Sequence, residues 1–132
     1  MAENMEFTLQ EQAREAAAEL PGAELTYPFG EEWDVYKVRG KVFMLLTEVT
    51  GQPMVILKVD PAESQLLQQT YEGIVPGYHM NKKHWVSLLP GKDVPGRLVG
   101  ELVLESYLLV IEQSVPKRDW PVNPHTYARS QG

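Results

Sequence analysis

Cysteine is absent from this chain of 132 residues, which excludes disulfide bonds, thiol catalysis and cysteine-ligated metals. No run of about 18 apolar residues is present, so no transmembrane helix is predicted. The first residues, MAENMEF, lack a basic region followed by an apolar stretch, so no secretory signal is predicted. A cytoplasmic location is therefore the expectation.

The motifs of common enzyme classes are also missing. The sequence contains no glycine-rich phosphate loop followed by Lys-Ser or Lys-Thr, and no dinucleotide-binding fingerprint. Ser87 and Ser106 are present, but neither lies in a nucleophile-elbow motif. We therefore predict no catalytic residue and no cofactor, and we expect a non-enzymatic protein.

The composition is that of a folded domain, with 43% hydrophobic and 23% charged residues. The net charge of −6 is unevenly spread, because residues 1–36 contain nine acids and one base. Residues 37–92 contain seven bases and four acids, a net of +3. An acidic chain repels nucleic acid on average, but this central excess permits a local basic surface.

Three helices are predicted from their start signals and apolar spacing. Thr8 and Glu11 have the spacing of a capping box, and Asp60 followed by Pro61 is a second helix start. The longest helix is predicted over 95–112, where apolar residues occupy much of the circumference and indicate burial against a sheet.

Strands are predicted at 33–38, 41–49, 54–59 and 86–89, with 23–32 as a loop. Short glycine-containing connections such as Arg39-Gly40 favour an antiparallel meander. The fold class is therefore α+β, a two-layer arrangement with helices on one side of an antiparallel sheet, in the order α-β-β-β-α-β(-β)-α. We divide the chain into an N-terminal extension (1–6), a single domain (7–113) and a polar C-terminal tail (114–132).

The stretch YHMNKKHW (78–85) concentrates polar side chains and allows several interpretations. His79 and His84 have a spacing found in zinc sites, but no third ligand is evident and two lysines between them would repel a cation, so no metal is predicted. A small-molecule pocket built around His79, His84 and Lys58 is another option. In a structural interpretation, Trp85 fills core space while His79, Asn81 and His84 hydrogen-bond backbone groups.

A nucleic-acid surface is a further interpretation. Lysines donate to phosphates, Asn81 can hydrogen-bond a phosphate or a base, and Tyr78 or Trp85 would stack on bases. The basic residues of the predicted hairpin tip would extend this surface. The proposed contact set is Lys37, Arg39, Lys41, Lys58, His79, Asn81, Lys82, Lys83 and His84.

A partner surface is the alternative, because four aromatic residues lie close together in the sequence. They are Tyr27, Phe29, Trp33 and Tyr36. Exposed aromatic side chains anchor protein interfaces. Packing of these residues into the core is the favoured interpretation.

The chain resembles the YjbR/MmcQ-like proteins, small bacterial domains that are often labelled DNA-binding. The resemblance spans about residues 7–113. The stretches that carry it are PGAELTYPFGEEWDVYKVRGKVFMLL (21–46), VILKVDP (55–61), YEGIVPGYHMNKKHWVSLL (71–89) and SYLLV (106–110). It implies a compact antiparallel sheet with packed helices, similar to the frataxin-like or secretion-chaperone-like arrangement.

The resemblance also maps a set of residues onto the signature positions of that family, without a catalytic role. They are Lys58, His79, Asn81, Lys82, Lys83, His84 and Trp85. Our leading expectation is a monomeric binding domain with weak affinity for DNA through a basic face. The alternative is a protein-interaction or chaperone-like module that uses the sheet face or an aromatic patch.

Overall fold

Within residues 8–127, six strands form one antiparallel sheet, and three α-helices lie on one of its faces. The computed structural model describes residues 8–127. The helices are α1 (Leu9–Ala18), α2 (Pro61–Thr70) and α3 (Gly96–Ser114). The strands are β1 (Ala23–Thr26), β2 (Trp33–Val38), β3 (Lys41–Thr47), β4 (Met54–Lys58), β5 (Ile74–Pro76) and β6 (Trp85–Leu88). Their order in the sheet is β1-β2-β3-β4-β6-β5, which confirms the predicted α+β class.

The predicted helix starts are confirmed by their caps. The Thr8 hydroxyl accepts a hydrogen bond from the Glu11 N–H at 3.1 Å, and the Glu11 carboxylate accepts from the Thr8 N–H at 3.0 Å. The Asp60 carboxylate accepts from the Ala62 N–H at 3.1 Å. Pro61, the first residue of α2, has no N–H group that would need a partner. Both caps satisfy N–H groups that a helix start leaves unpaired.

The hairpin between β2 and β3 turns at Arg39 and Gly40, as predicted. Both residues have positive φ angles, 50° and 81°, which is the conformation of a two-residue hairpin turn matched to the twist of its strands. Beyond the turn, Lys37 pairs with Val42 but Tyr36 pairs with Met44. Phe43 is therefore an extra residue in β3, a β-bulge.

Ser106 of α3 compensates for this bulge. Its hydroxyl donates to the Phe43 carbonyl at 2.6 Å and accepts from the Lys58 N–H at 2.9 Å. Two backbone groups at the end of the β3–β4 ladder are thus satisfied by one buried side chain. This contact gives the serine a structural role and joins α3 to the sheet.

Strand β1 corrects the prediction of a loop over 23–32. Ala23 to Thr26 pair with Val38 to Val35 of β2, so this segment is the edge of the sheet. Its four residues, AELT, alternate apolar and polar side chains, but over so short a stretch, directly after Pro21-Gly22, the alternation is only a weak strand signal. The strand forms because β2 offers backbone partners, an interaction that local sequence does not reveal.

The main core lies between the sheet and the helices, on the side that we call the helix face. All three helices contribute, through residues such as Ala13, Leu67 and Val103, and Phe43 meets Tyr107 edge-on at 5.5 Å between ring centroids. The Tyr107 hydroxyl donates to the Pro21 carbonyl at 2.6 Å. Helices on one side of the sheet are therefore confirmed, and the opposite side is called the loop face.

The segment after α3 lies against the domain as far as residue 127. Val115 is buried, and its carbonyl accepts a hydrogen bond from the Trp120 indole at 2.8 Å. The Arg39 guanidinium donates to the Asp119 carbonyl at 2.9 Å. Within residues 8–127, no helix has the length and apolar character that crossing a membrane requires.

Candidate functional site

The loop over residues 77–84 covers the loop face of the sheet. Beneath it lies a second apolar cluster, smaller than the main core and formed by Val35, Leu45, Met54, Ile56 and Trp85. Tyr78 and Met80 pack against this cluster. The Tyr78 ring stacks on Trp33, with centroids 6.2 Å apart and planes 10° from parallel. The polar-looking stretch therefore has an apolar side that closes the sheet.

The start of the 77–84 loop is held tightly to β6. The Gly77 N–H donates to the Trp85 carbonyl at 2.9 Å, and the Tyr78 N–H donates to the Ser87 hydroxyl at 2.9 Å. A Cβ atom on Gly77 would lie 2.6 Å from the Trp85 Cβ, closer than two carbons can approach without a shift. Glycine is needed here because the backbone of the loop touches the strand.

The end of the loop is a turn organised by Asn81. Its backbone carbonyl accepts from the His84 and Trp85 N–H groups at 3.2 and 3.0 Å. Its side-chain oxygen accepts from the Lys83 N–H at 2.9 Å, the arrangement of an Asx turn. The predicted role of Asn81 in hydrogen-bonding loop backbone is confirmed.

The other signature side chains are distributed around this turn. Trp85 is buried, as predicted. His84 is half-buried, and its carbonyl accepts from the Val59 N–H at 2.8 Å. His79 is exposed with a φ of 61°, and its ring lies 4.2 Å from that of Tyr78. No group of three potential metal ligands is found among the residues that the structure describes.

Two predicted contact residues of the sheet share the loop face. Lys37 pairs with Val42, which packs against the second cluster, and Lys58 pairs with Trp85 of that cluster. Directly opposite residues of antiparallel strands point to the same side. Both pairs lie at the end of the sheet from which the 77–84 loop departs. We call Lys37, Lys58, Lys82 and Lys83 the basic end.

Arg39 and Lys41 do not join the basic end. Lys41 pairs with Val38, a residue of the main core, so its strand position belongs to the helix face. Arg39 is engaged by the C-terminal segment through the Asp119 carbonyl, and its guanidinium also approaches Gly22. The hairpin tip is thus separated from the 77–84 loop.

Acidic residues stand next to two of the four lysines. Glu24 of β1 is the cross-strand neighbour of Lys37. Lys58 borders a cavity of about 110 Å³ that Asp60, Glu63 and Glu105 also line. These carboxylates offset the lysine charges locally.

Lys82 and Lys83 have different surroundings. The Lys82 ammonium donates a hydrogen bond to the Gly77 carbonyl at 2.6 Å. Lys83 is exposed. Both line a cleft against α2 whose other lining residues are Pro61, Ala62, Ser64, Gln65 and Gln68. None of these side chains is acidic, so the positive charge of the basic end is concentrated at this pair. The glutamines carried no sequence signal, because polar residues on a short helix are usually solvated.

An apolar groove lies at the other end of the loop face. It has a volume of about 300 Å³ and is lined by Phe29, Trp33, Leu45, His79 and Met80, which we call the aromatic groove. His79 lines this groove, whereas Lys58 borders a different cavity. Neither of these two cavities brings His79, His84 and Lys58 together. Leu45 and Met80 were not predicted as site residues.

The aromatic residues near β2 do not all pack in the core. Tyr36 is buried and Trp33 half-buried, but Tyr27 is 55% exposed and Phe29 is 64% exposed. The core interpretation is therefore wrong for Tyr27 and Phe29. They follow β1 at the sheet edge, after its pairing with β2 has ended at Thr26.

Comparison with known proteins finds a family described as YjbR, whose model matches residues 18–109. The uncharacterized protein YbdF of Escherichia coli O157:H7 is 49% identical over 112 residues, which cover 85% of this chain and 91% of that protein. The uncharacterized protein YjbR of Escherichia coli strain K12 is 32% identical over 87 residues, 66% of this chain and 74% of that one.

Two solved structures are similar in fold. A Deinococcus radiodurans protein superposes with a TM-score of 0.76 and 36% identity, and the match covers 83% of each chain. A Pseudomonas syringae protein superposes with a TM-score of 0.65 and 23% identity, covering 76% of this chain and 97% of that one. The second similarity concerns the fold alone.

Proposed function

The chain belongs to the YjbR family, and from this premise we propose that it is a non-enzymatic binding domain that contacts DNA weakly through its basic end. The observation that carries the proposal is the shared location of Lys82 and Lys83 with Lys37 and Lys58 at one end of the loop face. Lysines grouped on one face attract phosphates regardless of base sequence.

The contact is weak because few charges take part. The net charge of −6 repels DNA at a distance, and Glu24 lies beside Lys37. Two to four phosphate contacts are the most that the basic end offers. Bacterial DNA lies in the cytoplasm, so the proposal includes the cytoplasmic location expected from the sequence.

The test is fluorescence anisotropy of labelled duplexes of several sequences. With about two to four phosphate contacts, affinity should fall roughly tenfold to a hundredfold between about 50 and 200 mM salt. Lys83→Ala should weaken binding to every sequence alike and reduce the salt slope by about one. Lys41→Ala is the matched control, because Lys41 is exposed but belongs to the helix face. Absence of binding at high micromolar protein in low salt would contradict the proposal.

A protein-interaction module is the second candidate, favoured by the aromatic groove. Phe29 is 64% exposed beside Trp33, and an exposed aromatic residue next to a groove is typical of an interface anchor. The occupant would be a protein segment that inserts an apolar side chain between Phe29 and Met80.

This candidate is tested by affinity capture after nuclease treatment in high salt. Phe29→Ser should lose a captured partner, whereas Tyr27→Ser should retain it, because Tyr27 is similarly exposed but does not line the groove. Equal recovery with both variants would exclude the groove as the contact.

A further inference from the structure

The cleft between α2 and the 77–84 loop has an unusual set of lining residues, and we call it the α2 cleft. Its volume is about 310 Å³, and it is lined by Pro61, Ala62, Ser64, Gln65, Gln68, Lys82 and Lys83. Two of these side chains are cationic, three are neutral hydrogen-bonding groups and none is acidic. Such a lining is suited to an anion.

The loop side of the cleft is preorganised by Asn81. Its three hydrogen bonds fix the turn that carries the lysines. Lys82 is further held by its hydrogen bond to the Gly77 carbonyl, and an ammonium group retains two more N–H donors after making one such bond. The lysines therefore meet a ligand without first ordering the loop, which lowers the entropic cost of binding.

The helix side of the cleft supplies neutral donors. Ser64 is 3% exposed, and its hydroxyl accepts from the Gln68 side-chain amide at 2.9 Å. A hydroxyl that accepts one hydrogen bond still carries a proton that it can donate. Gln65 is exposed and adds a second amide. These groups offer hydrogen-bond donors from several directions, as binding of a tetrahedral anion requires.

The acidic side chains near the start of α2, Asp60 and Glu63, do not line the cleft. The Asp60 carboxylate accepts from the Ala62 N–H, so the first turn of α2 is already capped. Glu63 lines the separate cavity shared with Lys58 and Glu105. The cleft thus depends on its own side chains and not on the helix terminus.

We propose that the α2 cleft is a phosphate-binding site, which takes a backbone phosphate of nucleic acid or the phosphate group of a small molecule. Lys82 and Lys83 supply charge, and Gln65, Gln68 and Ser64 supply neutral hydrogen bonds. Where the phosphate belongs to DNA, the inference rests on the proposed function and names its central contact. Where it belongs to a small molecule, the site stands independently of DNA.

The first experiment titrates inorganic phosphate into the full chain at constant ionic strength, with chloride as the reference anion. Amide signals of Ser64, Gln65 and Lys83 should shift in NMR spectra with phosphate and not with chloride. Gln65→Glu places a carboxylate in the cleft and should weaken phosphate binding by about fivefold or more, the Coulomb cost of one like charge near 4 Å in water. Gln113→Glu, an exposed position on α3, is the control for net charge and should bind as the parent does.

The second experiment measures duplex DNA binding by the same variants, and it separates the two proposals. Weaker DNA binding by Gln65→Glu than by Gln113→Glu, with competition by phosphate, supports both. Equal DNA binding by the two variants, without phosphate binding in the first experiment, overturns the cleft inference and leaves the proposed function standing. Equal DNA binding together with phosphate binding at the cleft removes the cleft from the DNA contact and keeps it as a small-molecule site. Phosphate binding without DNA binding overturns the proposed function and keeps the cleft as a small-molecule site. Absence of both, with folded variants by circular dichroism, overturns both.

Discussion

The two faces of the sheet are closed in different ways. On the helix face, apolar side chains from three helices meet the strands in one large core. On the loop face, a smaller cluster around Leu45, Ile56 and Trp85 lies under the 77–84 loop. The basic end, the aromatic groove and the α2 cleft all include residues of that loop or of the strands beneath it.

The helices and the 77–84 loop differ in how their backbone N–H and C=O groups find hydrogen-bond partners. A helix pairs its own N–H and C=O groups and offers a continuous apolar stripe. The 77–84 loop has no such ladder, so Gly77, Tyr78 and Asn81 are tied one by one to neighbouring groups. Such a segment opens locally at lower free energy than the core. The molecule thus combines a face that supplies stability with a face that presents side chains.

Truncating one aromatic residue on each face should show the largest contrast. Phe43→Ala removes a fully buried ring of the helix face and should lower the free energy of unfolding by about 3 to 5 kcal/mol. Tyr78→Ala removes the half-buried ring that stacks on Trp33 and should lower it by about 1 to 2 kcal/mol. Urea unfolding measures both values. Equal losses would show that the loop face contributes as much stability as the helix face.

A pair of glycine substitutions makes the next comparison. Gly77→Ala forces a Cβ to within 2.6 Å of Trp85 and should destabilise the protein by about 1 to 3 kcal/mol. Gly100→Ala meets nothing within 4 Å in the middle of α3 and should stabilise it by up to about 1 kcal/mol. Thermal or urea unfolding of the two variants should therefore shift in opposite directions. A neutral Gly77→Ala would mean that the loop moves away from β6 without cost.

Much of the helix face was predictable because its signals are local. The caps at Thr8 and Asp60 and the turn at Arg39-Gly40 depend on residues within four positions of one another. The apolar spacing of α3 indicated a helix buried on the sheet. These features need no knowledge of the rest of the chain.

The loop face was less predictable because its contacts are long-range. Nothing near Tyr78 in the sequence indicates that it stacks on Trp33. Outside the loop face, the contact of Arg39 with Asp119 likewise joins residues 80 positions apart. Strand β1 was missed for the same reason. The individual roles of Trp85 and Asn81 were anticipated, whereas the cover that the whole loop makes over the sheet was not.

A smaller effect is expected at Tyr107, where the helix face is sensitive to high pH. Tyr107→Phe removes the hydrogen bond to the Pro21 carbonyl and should cost about 1 kcal/mol at neutral pH. Burial, with a smaller contribution from Tyr127, raises the pKa of Tyr107 from 10.0 to about 12.

The sign of the pH dependence follows from that shift. An unfolded tyrosine ionises near its ordinary pKa while the folded one stays neutral, so the stability due to Tyr107 is complete below pH 10 and is lost as the pH rises through about 12. The difference in unfolding free energy between parent and Tyr107→Phe should shrink over this range. Burial also raises the pKa of Tyr36. Because Tyr36 is present in both proteins, its contribution cancels in the difference between their unfolding free energies. A difference independent of pH would contradict the assignment.

The smallest expected effect is on hydrogen exchange at two turns of the same kind, one organised by Asn81 and the other by Asn123. Asn81 and Asn123 each accept from the N–H groups two, three and four residues later, the first through the side chain. Asn81→Ala should raise hydrogen exchange at the Lys83 amide by about fivefold, which corresponds to one lost exposed hydrogen bond. Asn123→Ala should do the same at His125 and leave the 77–84 loop unchanged.

The consequence for binding separates the two turns. If Asn81 preorganises Lys82 and Lys83, its alanine variant should also weaken phosphate binding, since the loop then has to be ordered on contact. Asn123→Ala should bind phosphate as the parent does, because its turn lies in the C-terminal segment. Faster exchange at Lys83 with unchanged phosphate affinity would show that the loop face holds its lysines in place without this turn.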